Sequence, residues 1–170
     1  MLMPFKQEYL EKVYNWYASE KYPIFFRHFE NYLTIQEFAV VLNASSTKCL
    51  LLNDHGHIFG FIMIKAFGKP KLCEISVMLE EEYQGRGLGK SATVEALKYL
   101  FSECAFNRSV AITAEEDDMT QDILEKGGFS KEASYKSSCF YNGKFHDECR
   151  YAMSRGKFLE LYGGDYGAST

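Results

Sequence analysis

A chain of 170 residues, 46% hydrophobic and 25% charged, carries enough apolar material for one packed domain and excludes a disordered or fibrous polymer. The net charge is -4 and no basic stripe is visible, which excludes nucleic acid as an expected partner. The longest apolar run, Ile58 to Ile64, is too short to span a bilayer, so no membrane association is expected.

The N-terminus reaches Lys6, Glu8 and Glu11 before any apolar stretch, so no signal peptide is expected. Five cysteines (Cys49, Cys73, Cys104, Cys139 and Cys149) form no C-x-x-C pair, and a reducing cytoplasm is the expected setting. Aromatic residues reach 16%, enough to fill a large core or to line a pocket for an organic ligand. Acid is concentrated in Glu80-Glu81-Glu82 and Glu115-Glu116-Asp117-Asp118. Such runs are solvated loops or, where they flank a cleft, favour a cationic substrate such as an amine.

Tyr9, Leu10, Val13, Tyr14 and Tyr17 recur at helical spacing and predict a helix from about Gln7 to Ser19. An aromatic-rich segment interrupted by Pro23 continues through Phe29. Thr34 and Glu37 form a capping box ahead of Phe38, Val40, Val41 and Leu42, where a second helix begins. Strand patterns follow: Lys48 to Asn53, a turn at Asp54-His55-Gly56, then His57 to Ala66 as the returning arm of a hairpin. Gly68-Lys69-Pro70 turns the chain into a strand from about Lys71 to Leu79. After a glycine-rich loop, Ala92, Ala96, Leu97, Leu100 and Phe101 mark the inner face of a helix. Ser109 to Ala114 is a strand, and a helix from about Met119 to Lys126 stops at Gly127-Gly128. A last hairpin, Phe129 to Tyr141 and Lys144 to Met153, turns at Asn142-Gly143. The tail from about residue 156 to 170 reads as loosely held. This order contains one β-α-β crossover, so an α/β fold with a mixed sheet in a single domain is expected.

The loop Gln84-Gly85-Arg86-Gly87-Leu88-Gly89-Lys90 stands directly before a helix. Backbone N–H groups there converge at the positive end of the helix dipole, and glycines clear the Cβ atoms that would hold a phosphate oxygen away. An anion site is the physical reading; a plain tight turn is the alternative. A P-loop would need glycine where Gln84 stands, and a dinucleotide fingerprint would leave its strand straight into the first glycine, whereas Glu80 to Arg86 intervenes. His55 and His57 lack a completing ligand, so no metal is expected.

On the strand before the loop, Cys73, Ile75, Val77 and Leu79 share one face and Glu74, Ser76 and Met78 the other. A carboxylate in the middle of an apolar strand is either paired, with Lys65 or Lys71, or exposed to water, or serves as a base. A base at this place would take a proton from a bound substrate.

The run Glu82-Tyr83-Gln84-Gly85-Arg86-Gly87-Leu88-Gly89 resembles the acetyl-CoA loop of the GCN5-related N-acetyltransferase (GNAT) family, [RQ]-x-x-G-x-[GA], with Gln84, Gly87 and Gly89 in its defining places. The likeness extends from about Glu74 to Phe129 and, more loosely, over the whole chain. It implies a GNAT-like sheet, mostly antiparallel and splayed where acetyl-CoA enters, and transfer of the acetyl group to a primary amine by direct attack. It implies that residues 84–90 hold the pyrophosphate and that Val77, Met78 and Leu79 hold the pantetheine arm. One strand N–H, of Val77 or Met78, would then polarise the thioester carbonyl. Glu74-x-Ser76-Val77 resembles phosphinothricin-type acetyltransferases, in which a glutamate at this place is a proposed base.

Two positions depart from the family's pattern. Asp117 stands for the usual Asn, which puts its contact to pantetheine in doubt, and Leu124 for the usual Tyr that protonates the thiolate. Tyr135, Cys139 and Tyr141 are the candidate substitutes. The closing hairpin looks like that of the branch acetylating ribosomal-protein N-termini, polyamines and some antibiotics. Homodimers are frequent among proteins the chain resembles. The rival readings are an acetyl-CoA-binding module without turnover and a P-loop-like nucleotide binder.

Overall fold

The β-branched and aliphatic runs pair as a single sheet. A computed structural model, describing residues 2–19, 33–68, 71–104, 106–141 and 143–163, contains seven strands. They are β1 (Leu2–Pro4), β2 (Thr47–Asp54), β3 (His57–Phe67), β4 (Leu72–Leu79), β5 (Arg108–Ala114), β6 (Ser130–Tyr141) and β7 (Lys144–Ser154). Their order is β1-β2-β3-β4-β5-β7-β6, and only β4 and β5 run parallel. The expected mixed, mostly antiparallel sheet is therefore the observed one.

Helices α1 (Leu10–Tyr17) and α2 (Ile35–Leu42) cover one face. Helices α3 (Leu88–Ser102), α4 (Asp118–Lys126) and α5 (Arg155–Tyr162) cover the other. Val13, Trp16 and Phe38 pack against Leu51, Phe61 and Met63, while Ala96, Leu97 and Leu100 pack against Leu50, Ile62 and Ile75. Residues of β2 and β3 are thus buried on alternate faces, which explains why both strands read as unbroken apolar runs. Much of the aromatic content is core: Tyr17 stacks on Phe38 at 4.6 Å and Trp16 on Phe61 at 6.0 Å. Both arms of the capping box are present, Glu37 N–H donating to Thr34 Oγ1 at 3.3 Å and Thr34 N–H to Glu37 Oε2 at 2.8 Å.

Gly127 and Gly128 stop α4 by a Schellman closure: Phe129 N–H donates to Leu124 O and Gly128 N–H to Glu125 O, with Gly128 at φ +93°. Two elements were not expected. Strand β1 is three residues long and carries proline, too short for any periodicity to show. The stretch 155–162, expected to be loose, is α5; the Ser154 side chain caps it and Phe158 is buried against Phe101 at 5.3 Å. Edge strand β6 pairs with β7 through two irregularities, between Lys131 and Ala133 and between Tyr135 and Cys139. The segment around Pro23, the turn residues Lys69, Pro70 and Asn142, and the tail beyond Gly163 lie outside the described residues. Among the described residues, no helix is long and apolar enough to cross a membrane.

Gly60, on β3 opposite Leu79, lets the two strands close. A Cβ there would fall inside the van der Waals radius of the Met78 carbonyl oxygen, with Leu52 and Leu79 at 3.1 Å. Gly60→Ala is expected to lower unfolding free energy by about 1–3 kcal/mol, as overpacking does, in a denaturant titration.

Candidate functional site

Parallel pairing between β4 and β5 lasts three residues: Leu72 with Arg108, Cys73 with Ser109, and Glu74 with Val110. Beyond Glu74 the strands diverge. Main-chain direction in β4 follows from two bonds. Glu80 N–H donates to Phe59 O on β3 at 2.8 Å, and Lys71 O accepts from Asn107 N–H, ahead of β5, at 3.1 Å. Alternation then turns the N–H and C=O of Ile75, Val77 and Leu79 towards the gap, and those of Ser76 and Met78 towards β3. The gap opens into a cleft between the two strands. Ile75, Ser76, Val77 and Leu79 form one wall and Ala111, Ile112 and Thr113 the other.

The glycine-rich loop stands at the mouth of this cleft. A 3-10 turn, Glu81–Tyr83, follows β4, and the Gln84 amide donates back to Leu79 O at 2.9 Å, closing the loop onto the strand end. The Tyr83 ring stacks on Phe59 at 4.5 Å, and the Arg86 guanidinium lies 5.8 Å from the Tyr83 ring centre. Gly85 and Gly87 have φ of +68° and +77°, the left-handed region that favours glycine, and a Cβ on either would meet nothing within 4 Å. Gly87 is the N-cap of α3 and supplies no side-chain cap. The first intrahelical bond closing on it is Ser91 N–H to Gly87 O at 3.2 Å. The N–H groups of Leu88, Gly89 and Lys90 therefore stand at an uncapped helix start, as an anion requires. Gly89 has a different reason for lacking a side chain. A Cβ there would lie 2.9 Å from Ile123 Cδ1, so Gly89 lets α3 close on α4.

The opposite lip is α4. Asp117 lines the cleft, caps α4 by accepting from Thr120 N–H at 3.0 Å, and accepts from Thr113 Oγ1 at 3.3 Å. The acidic run around it is not a free solvated loop. Glu115 pairs with Lys131 at 3.2 Å, and Glu116 with the buried His146 of β7. Gln121 Nε2 donates to Glu115 O at 2.8 Å, and the Tyr151 hydroxyl is 3.0 Å from both Gln121 Oε1 and Glu125 Oε1. Burial, with the Glu125 carboxylate adding to it, pushes the Tyr151 hydroxyl up to about 12.

Of the candidate site residues, Val77, Leu79, Gln84, Gly89 and Asp117 line the cleft, and Gly85, Arg86, Gly87, Leu88 and Lys90 belong to the loop at its mouth. Met78 does not line it: its side chain, 1% exposed, is packed on the α1–α2 side. Val77, not Met78, therefore presents its N–H to the cleft. Glu74 is 7% exposed, at the last paired position of the fork, opposite Lys65 on β3. It does not line the cleft, but Ser76, next on the same face, does. Leu124 is buried in the wall; Tyr135 and Cys139 are absent from the lining, and the Tyr141 side chain lies outside the described residues. Thr93, Thr113 and Thr120 were missed, since no motif singles them out. His57 is engaged with Glu80 at 3.2 Å. Among the described residues, no group of three His, Cys, Asp or Glu side chains is placed to hold a metal ion.

A sheet splayed at one parallel pair, with an uncapped helix start at the mouth of the split, is the architecture of acyl-coenzyme A transferases. The chain belongs to the GNAT acetyltransferase family, whose acetyltransferase (GNAT) domain model matches residues 1–130. It is 28% identical over 87 residues to spermidine N(1)-acetyltransferase of Escherichia coli (strain K12), covering 51% of this chain and 47% of that protein. It is 26% identical over 87 residues to the Vibrio cholerae enzyme of the same name, covering 51% and 50%. The matched stretch spans about half the length of these relatives. The fold superimposes on Vibrio cholerae spermidine N-acetyltransferase in complex with CoA and spermine with a TM-score of 0.80, at 18% identity, over 94% of this chain and 97% of that one. A dodecameric structure of that protein gives 0.82 at 18% identity, over 95% and 97%.

Removing the α4 cap is expected to cost about 1 kcal/mol in Asp117→Ala, while Asp117→Asn, which keeps an acceptor, stays near wild type in thermal melts. An acid whose folded value is raised favours its neutral form, so the contribution of Tyr151 is complete below its unfolded value of about 10 and lost as pH rises from there to about 12. Stability curves at pH 9 to 12 are expected to show this loss, and Tyr151→Phe to remove that share of it.

Proposed function

We propose that this protein transfers the acetyl group of acetyl-CoA to a primary amine by direct attack, without a covalent acyl-enzyme. The observation that carries the proposal is the fork: a buried strand edge with unpaired main-chain groups, ending at a helix start that no side chain caps. Pantetheine carries two amides and suits such an edge, as an added strand does. The pyrophosphate suits the N–H groups of residues 88–90, with Arg86 and Lys90 exposed beside them. The Val77 N–H faces the place where charge would develop on the thioester oxygen, and would stabilise the tetrahedral oxyanion in a cleft lined mainly by apolar groups.

Glu74 is proposed as the base that takes the first proton from the incoming ammonium, directly or through one water. Its place supports this: the floor of the fork, one strand position pair before the cleft wall, on the face away from α3 and α4. Polyamines are the acceptor class proposed first, since the named relatives act on spermidine and a carboxylate at the fork favours a cation. Self-association is proposed on the same footing, from the dodecameric neighbour. All five cysteines are free, which supports a reducing compartment.

The test is thiol release from acetyl-CoA against polyamines, aminoglycosides, amino acids and peptide N-termini. Glu74→Gln is expected to lower turnover at neutral pH by about 100-fold or more, the usual weight of a general base, while coenzyme A still raises the melting temperature as in wild type. Unchanged turnover across pH would remove Glu74 from the mechanism.

A further inference from the structure

The departing coenzyme A thiolate needs a proton, and the residue that commonly gives it in this family is replaced by Leu124, buried in the cleft wall. Among the described residues lining the cleft there is no tyrosine, cysteine, histidine or lysine. Four lining side chains carry a hydroxyl. That of Thr93 donates to Gly89 O at 2.8 Å and that of Thr113 to Asp117 Oδ2 at 3.3 Å, so both protons are already committed. Thr120 stands in the first turn of α4, on the lip, beside the cap it completes. Ser76 is the fourth. Its hydroxyl makes no hydrogen bond among the described residues, its side chain shares the face of Glu74, and the residue itself borders the cleft. Along the strand it is one residue, about 3.3 Å of rise, from the Val77 N–H proposed above to meet the thioester oxygen.

We propose that the Ser76 hydroxyl relays the proton that the leaving sulfur receives, an inference that rests on the acetyl-transfer reading above. After the neutral amine attacks, a C–N bond has formed and the nitrogen is positively charged. As the C–S bond breaks, the Ser76 hydroxyl gives its proton to sulfur and takes the surplus proton from nitrogen. The products are the amide and the free thiol, and serine ends as it began. A serine hydroxyl is too weak an acid to give up a proton outright; passing one on while accepting another avoids the alkoxide. Glu74 has by then taken the first proton, so the two side chains of one strand face handle one proton each, in sequence.

The experiment measures steady-state thiol release from acetyl-CoA with spermidine, or with the amine that the acceptor screen identifies, in wild type, Ser76→Ala and Ser76→Thr. Melting shifts with coenzyme A report that each variant is folded and binds. Ser76→Ala is expected to lose about 10-fold or more in kcat with the KM for acetyl-CoA within about threefold, and Ser76→Thr, which keeps the hydroxyl, to recover most of the rate. The solvent deuterium isotope effect on kcat is expected to be larger in wild type than in Ser76→Ala, a difference that a packing role would not produce. A kcat within twofold of wild type in Ser76→Ala overturns the inference, as does Ser76→Thr being as slow as Ser76→Ala. A wild-type protein that releases thiol with no amine overturns the acetyl-transfer reading, and this inference with it.

Discussion

Everything in this molecule depends on one pair of parallel strands that stops pairing. Strands β4 and β5 share three residue pairs and then part, leaving the inward edge around Val77 without a neighbouring strand. Buried main-chain N–H and C=O groups are costly to leave unmatched, so a gap of this kind is either filled by water or completed by a ligand with a peptide-like backbone. Side-chain packing on one face seals the end of the split. Leu79, Ile123 and the bare Cα of Gly89 bring α3, α4 and the strand end into contact.

The two helices flanking the split treat their positive ends in opposite ways. Helix α3 begins at a glycine in left-handed conformation and offers its first N–H groups outward. Helix α4 begins at Asp117, whose carboxylate satisfies one of those groups internally. An anion is therefore drawn to one lip only. The acidic run beside Asp117 is tied down by Lys131, His146 and Gln121, so that the α4 lip is anchored to the last hairpin on two strands. Replacing asparagine with aspartate at position 117 keeps a good cap but leaves a group that can only accept hydrogen bonds.

The sheet and its helices were largely legible because each depends on short-range chemistry: a capping box, a hairpin turn, alternation, a double-glycine stop. The loop was legible because three glycines flanked by Arg86 and Lys90 need a reason. Strand β1 was not, being too short to show a period, and α5 was not, because its single buried anchor, Phe158, sits among polar residues. Sequence alternation sorted the faces of β4 correctly but could not say which N–H of Val77 and Met78 faces the gap. That depends on the register with β3, a long-range fact. The second purpose of Gly89 was hidden for the same reason, since Ile123 is far from it in sequence.

The irregular edge formed by β6 has a consequence for how copies of this chain can meet. A continuous exposed strand is a template on which foreign strands grow, and proteins blunt it by twisting the ladder and placing lysines along it. Here the ladder is broken twice, Ser137 adopts a φ of +48° within the second break, and Lys131 and Lys136 stand alongside. An intruding chain would find short, differently angled stretches of backbone in place of one straight row. Runaway fibre-like stacking along that border is therefore disfavoured by its shape.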